Sequence, residues 1–398
     1  MTRQAVWRAF ALGILLCYPI MAVKWLPFGG GARYLNVLAA PVCLILLWQA
    51  PREQIRELLV SALRWGLPFL PFVLAWVIAQ FWHAYDPLDL NPLMRLVWCS
   101  LLFVGARLVG VSYRHLAIAA GLGATVYCGV ALIEVYGLGR ERAWGGTYEN
   151  RFGQYSIWAA VLCFLHVLFV HPKEQSPAMN ALLIAAGFLG IVATLLSGSR
   201  GALLALCVLI AIALFKSMDW RRGLLAGGAI LLAVAAFAFL YAPMASRIEL
   251  SYQEVLLYFN EAEFAATSIG VRLELFRIAY LTLLDHPVIG PGYTSLKQLY
   301  DSHPAFGVPH PYVLEIPGFH NDWAQAVGIG GGLLLTALVV TCAALGVAAG
   351  SIFQLAFLGF AFVFSFSEIF FSNKMGLSLL MACWALYAAA EQNRKSGT

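Results

Sequence analysis

Apolar residues in this chain run in long unbroken stretches, separated by short polar turns. Twelve stretches stand out, at roughly 5–24, 34–50, 62–82, 94–110, 115–136, 153–171, 180–197, 200–216, 223–242, 322–346, 349–370 and 375–391. About 20 apolar residues at 1.5 Å each cross the hydrocarbon core of a bilayer, so each stretch predicts one spanning helix. A transmembrane barrel would instead alternate apolar and polar positions over about 10 residues per strand. The expected fold is an all-α polytopic membrane protein of about twelve transmembrane helices, forming a single domain over residues 1–398.

The longest polar interval, 243–320, falls between the ninth and tenth stretches. It is patterned rather than featureless. Ile248 to Phe264 mixes acids with Leu256, Leu257, Tyr258 and Phe259, as an interfacial amphipathic helix does. From Arg272 onward, Leu273, Phe276, Tyr280 and Leu283 recur at helical spacing. Pro287, Gly290, Pro291 and Gly292 end that helix, and Pro304, Pro309, Pro311 and Pro317 break the remainder.

Composition agrees with the pattern. Hydrophobic residues make up 61% of the chain and charged residues only 11%, where a soluble domain carries about 25% charge. The net charge of +5 is dispersed and no basic run is present, which argues against a nucleic-acid partner. Eight cysteines fall in or beside apolar stretches without CxxC spacing, so neither a disulfide framework nor a zinc site is expected. Arg3 and Arg8 precede the first stretch. Without a small-residue cleavage site after it, that stretch reads as a retained helix and not a signal peptide.

Charge also sets the orientation. With the N-terminus inside, the inner loops hold the larger share of Lys and Arg, including Arg52, Arg56, Arg64, Arg107, Arg114, Lys173, Arg221, Arg222, Arg394 and Lys395. The outer loops hold Lys24, Arg33, Arg95, Arg140, Arg142, Arg151 and Lys374. The positive-inside rule then makes both termini cytoplasmic and puts the 243–320 segment outside, in the periplasm of a bacterial inner membrane.

Three short segments carry candidate chemistry, all toward that outer face. Ser199-Arg200-Gly201-Ala202 sits at a turn where Arg200 opens an apolar run. An arginine there either snorkels to the headgroups or points a guanidinium at a phosphate. Arg272 lies next to the apolar stripe of the helix that ends at Asp285-His286-Pro287-Val288-Ile289-Gly290-Pro291-Gly292. His320 precedes Asn321 where the chain re-enters the membrane, followed by Gly328, Gly330, Gly331 and Gly332. It is either a satisfied structural histidine or a neutral imidazole able to accept a proton.

Taken in order, the three segments resemble the O-antigen ligase/polymerase family of bacterial membrane glycosyltransferases. The shared features are an SRGA turn, an arginine helix running into a Pro/Gly turn, and a histidine followed by Asn at the start of a glycine-containing span. The resemblance covers about 180–345, with weaker agreement over Gly145–Gly153, which lacks the Asn-Pro-Asn of many relatives. Size and layout are most like the lipopolysaccharide O-antigen ligases.

What the resemblance implies is transfer of a glycan from undecaprenyl diphosphate to a sugar hydroxyl of the lipid A core. His320 maps to the motif histidine as general base, and Arg200 and Arg272 map to the arginines that bind the diphosphate. Arg142 and Arg151 are further candidates for donor or acceptor binding. The donor carries its own diphosphate leaving group, so no nucleotide, metal or other cofactor is expected, and direct displacement would invert the anomeric centre. Asp86 and Asp89 read as a solvated turn and not as a metal-binding pair. Glu134 and Glu368, near outer span ends, read as structural partners of nearby Arg or Lys.

An O-antigen polymerase using the same residues is the nearest alternative, followed by a protein O-oligosaccharyltransferase. A lipid-linked glycan transporter would gather ionisable groups near the bilayer midplane. Here they gather at the outer end.

Overall fold

A computed structural model describes residues 9, 11–14, 32–84, 89–146, 148–170, 176–199, 201–202, 242–260, 267–292, 296–302, 313 and 318–396. All regular structure among them is helical. In chain order the helices are α1 (Ala32–Trp48), α2 (Arg52–Gly66), α3 (Leu70–Trp82), α4 (Asn91–Leu108), α5 (Tyr113–Leu132), α6 (Glu149–Phe169) and α7 (Pro177–Ser197). Then follow α8 (Ala242–Asn260), α9 (Ser268–Asp285), α10 (Leu296–Ser302), α11 (Asp322–Ala348), α12 (Ile352–Ser367) and α13 (Lys374–Ser396).

Among the described residues, five helical segments are long and apolar enough to cross a membrane: Arg52–Trp82, Tyr113–Gly137, Glu149–Phe169, Pro177–Ser197 and Asp322–Ala348. Most of the expected spans 5–24, 200–216 and 223–242 lies outside the described residues. One boundary differs from the sequence reading. The helix expected from 62 begins at Arg52, because α2 lays Leu58, Ala62 and Trp65 onto the bundle while keeping its charged positions exposed. A short 3-10 turn over Leu67–Phe69, containing Pro68, joins it to α3.

Close approach depends on small residues. A Cβ on Gly190 of α7 would lie 2.8 Å from the Ala160 Cβ and 3.0 Å from the Ser156 carbonyl of α6, so the two backbones meet there as in small-residue membrane packing. Elsewhere rings fill the interior: Phe69, Phe72, Phe103, Phe360, Phe364, Phe371 and Trp384 are all fully buried.

Two groups of loops mark two ends of the bundle. At one end, the Tyr113 hydroxyl donates to Glu391 at 2.8 Å, the Tyr113 ring packs 5.1 Å from Phe353, and Asn393 Nδ2 donates to the Val111 carbonyl at 2.9 Å. The starts of α5 and α12 thus meet the end of α13. At the other end the α5–α6 loop, the end of α7, the start of α11 and the α12–α13 loop meet.

A second apolar cluster links α9, α10 and the start of α11 through Val271, Leu275, Ile278, Leu299, Tyr300, Phe319 and Ala324. Beside it, the Glu274 carboxylate accepts from Arg277 (2.6 and 2.9 Å), Tyr300 (2.7 Å) and Tyr258 (2.9 Å), tying α8, α9 and α10 together. Burial alone would raise this carboxyl, but those four donations outweigh it and hold the group below its usual range.

Candidate active site

His320 stands one residue before the Asn321 cap of α11. Asn321 Oδ1 accepts the backbone N–H groups of Trp323 (2.8 Å) and Ala324 (3.0 Å), and its Nδ2 donates to the Phe366 carbonyl at 2.9 Å. The Asn of the motif is therefore a helix cap that also ties α11 to α12. On the other side, Gln325 Oε1 accepts the Phe319 N–H at 3.0 Å. Between these fixed neighbours His320 adopts φ 50°, the left-handed region that a residue with a side chain rarely enters. Phe319 and Asn321 are buried, while the His320 side chain keeps 40% exposure.

The following residue secures the opposite wall. Asp322, fully buried, accepts the backbone N–H groups of Phe370 (2.6 Å), Phe371 (2.8 Å) and Ser372 (2.8 Å). That turn begins with Glu368, whose carboxylate lies 3.9 Å from His320 Nδ1 and accepts from Asn150 Nδ2 at 3.2 Å. The sequence suggested pairing with a neighbouring Arg or Lys; Arg151 does act on Glu368 electrostatically, and the carboxylate also faces the histidine.

Asn150 extends the network to the SRGA turn. Arg142 donates from Nε to the Ser197 carbonyl at 2.7 Å and from Nη2 to Asn150 Oδ1 at 3.5 Å, and Ser199 Oγ donates to the Asn150 carbonyl at 3.4 Å. Gly153 permits this contact, since a Cβ there would lie 2.5 Å from the Ser199 Cβ. Arg151 stacks over the Tyr148 ring at 5.2 Å and acts electrostatically on Glu368. Arg200 itself lies outside the described residues; Ser199 and Gly201 flank it.

The loop bearing Arg142 is held from beneath. Glu134, fully buried in a π-helical turn over Ile133–Gly137, accepts the N–H groups of Trp144 (2.7 Å) and Gly145 (2.9 Å). Its partners are backbone amides and not the Arg or Lys expected. Asp89 accepts from Asn91 at the start of α4, and Asp86 is outside the described residues.

The remaining motif is a docking device. Gly332 and Leu333 of α11 donate their N–H groups to the carbonyls of Pro287 (3.2 Å) and Val288 (2.9 Å). These donors are free for that purpose because α11 kinks at Gly331 (φ 60°, ψ −146°), a conformation reserved for glycine. A Cβ on Gly290 would sit 2.5 Å from both Gly331 N and the Val327 carbonyl. This seat fixes the end of α9. At its other end Arg272 is half-buried, one residue after Val271, which shares a cluster with Phe319.

Spans, a capped histidine at a bundle end and a glycine-seated arginine helix define a polytopic membrane protein with a candidate site at one face. Residues 185–340 match the family model described as O-Antigen ligase, which supports the resemblance to the O-antigen ligase/polymerase family over that part of the chain. The matched stretch contains the SRGA turn, the Arg272 helix and His320. Asn150, Arg142, Arg151 and Glu368 lie outside it. No curated protein matches the chain.

Proposed function

We propose that this protein is a lipopolysaccharide O-antigen ligase, moving a glycan from undecaprenyl diphosphate to a sugar hydroxyl of lipid A core at the periplasmic face of the inner membrane. The observation that carries the reading is His320: half exposed at one bundle end, backed by Glu368, and joined through Asn150 and Arg142 to the turn that bears Arg200. His320 Nε2 takes the proton of the acceptor hydroxyl as that oxygen attacks the anomeric carbon. Arg200 and Arg272 bind the diphosphate and stabilise the charge it gains on leaving. Arg142 and Arg151 contribute positive charge toward phosphate-rich donor or acceptor groups. Attack from the face opposite the leaving group inverts the anomeric centre, and the residues assigned need neither metal nor nucleotide.

The topology proposed with this function has about twelve spans, both termini in the cytoplasm and the 243–320 segment in the periplasm. In support, the loops that meet at the His320 end are those the charge rule assigns outside, and those around Tyr113, Phe353 and Glu391 are those it assigns inside.

A lipopolysaccharide gel from a strain lacking the protein, complemented with wild type or His320→Ala, tests the reading. The ligase reading expects bare core in the null and the variant, with carrier-linked O-antigen accumulating. Core bearing a single repeat unit would make the protein a polymerase. An unchanged ladder in the null would overturn both.

A further inference from the structure

We propose that Glu368 is the positioning residue of His320, holding the imidazole with Nδ1 toward the carboxylate and Nε2 toward the acceptor hydroxyl. The inference rests on the assignment of His320 as general base. Three observations carry it. First, Glu368 Oε2 lies 3.9 Å from His320 Nδ1, whereas the Glu368 side chain is 10% exposed and the His320 side chain 40%. The carboxylate thus sits beneath the ring, on the protein side. Second, Glu368 is itself held in place: Asn150 donates to Oε1 at 3.2 Å, and its own N–H donates to the Phe364 carbonyl at 2.8 Å. Third, Asp322, two residues from His320, grips the Phe370–Ser372 turn through three backbone N–H groups. Base and carboxylate are therefore referenced to one another through the start of α11.

The separation is longer than a hydrogen bond, as is common for catalytic pairs before substrate binds. Closure by about 1 Å would give an Nδ1–H···Oε2 bond, which fixes the tautomer that leaves Nε2 unprotonated. In the step itself, the hydroxyl proton passes to Nε2 while the new oxygen–carbon bond forms. The anomeric carbon–oxygen bond to the diphosphate breaks and its electron pair departs with the diphosphate. The imidazolium that results lies against the Glu368 carboxylate, which stabilises it. Arg151, a further charged group acting on Glu368, limits how much of that negative charge reaches the ring.

The test uses the full-length protein in nanodiscs with carrier-linked glycan and lipid A core from the same strain. Rate against pH is measured for wild type, His320→Ala, Glu368→Gln and Glu368→Asp. Glu368→Gln should lower kcat by about 10²- to 10⁴-fold with KM little changed. Loss of the anion makes imidazolium less favourable, so the acid limb of its residual rate should move to lower pH. Glu368→Asp should recover part of kcat and the wild-type limb. Equal losses in the Gln and Asp variants with the limb unmoved would make Glu368 purely structural and overturn the inference. So would a Gln variant within about threefold of wild type. An active His320→Ala enzyme would instead overturn the base assignment beneath it.

Discussion

The Asp322 carboxylate accepts the Phe370 backbone N–H at 2.6 Å, binding the first residue of α11 to the turn after α12. Phe371 and Ser372 donate to the same carboxylate. A buried carboxylate taking three amide donors is a structural clamp. It is spent on the backbone, which leaves Glu368 as the acid that faces His320.

Replacing Asp322 with Ala would strip three N–H groups of their acceptor in a buried place. Each orphaned donor costs roughly 1–3 kcal/mol, and partial relaxation should leave a net loss of about 3–5 kcal/mol. Asp322→Asn keeps one carbonyl acceptor and should lose less. Thermal unfolding in detergent should rank wild type above Asn and Asn above Ala. An Ala variant that melts like wild type would show that the turn does not need the clamp.

Gly290→Ala places a methyl 2.5 Å from Gly331 N and the Val327 carbonyl, both backbone atoms that cannot rotate away. The end of α9 must then lift from the α11 kink, costing roughly 1–3 kcal/mol or more. Cleavage by an added protease after Lys297 or Arg277 should speed up in this variant, and O-antigen attachment should fall. Wild-type protease resistance would mean that the seat tolerates the methyl.

The apolar runs made the helices legible, because a membrane segment writes its length and composition directly into the chain. The Gly290 turn and the start of α11 after His320 were legible because their motifs are local. The Asn that follows His320 is a cap, and the glycines near 330 make a kink, both readable within a few residues. Glu368 and Asn150 were not legible. They meet across 218 positions, and nothing in either neighbourhood announces the other. Glu134 was misassigned for a related reason: a buried acid beside arginines suggests an ion pair, yet backbone amides of a tight loop satisfied it first.

Acid should loosen the seam between α8, α9 and α10. The folded pKa of Glu274 is depressed, so its contribution is complete above the ordinary carboxylate range near pH 4.3 and disappears as pH falls through the lower folded value. Amide exchange over α10 should therefore accelerate below about pH 4. Glu274→Gln should show faster exchange already at neutral pH, by about 1–3 kcal/mol of local stability, and a weaker acid dependence. Identical acid profiles for the two proteins would remove Glu274 as the cause.

Arg142 offers the sharpest distinction between charge and shape. Its guanidinium reaches the Ser197 carbonyl with Nε and the Asn150 amide with Nη2, so one planar group spans two segments of the site. Lysine keeps the positive charge but has a single ammonium on a flexible stem, and it cannot reproduce that span. If Arg142 acts by aligning Asn150 under Glu368, Arg142→Lys should lower kcat by about 10- to 100-fold, close to the Ala variant, because misplacement of a catalytic group is costly. If Arg142 acts only through its field on phosphate, Lys should retain most of the rate and Ala should raise KM. Measuring kcat and KM for both variants decides between them, and the two bonds seen here favour the first outcome.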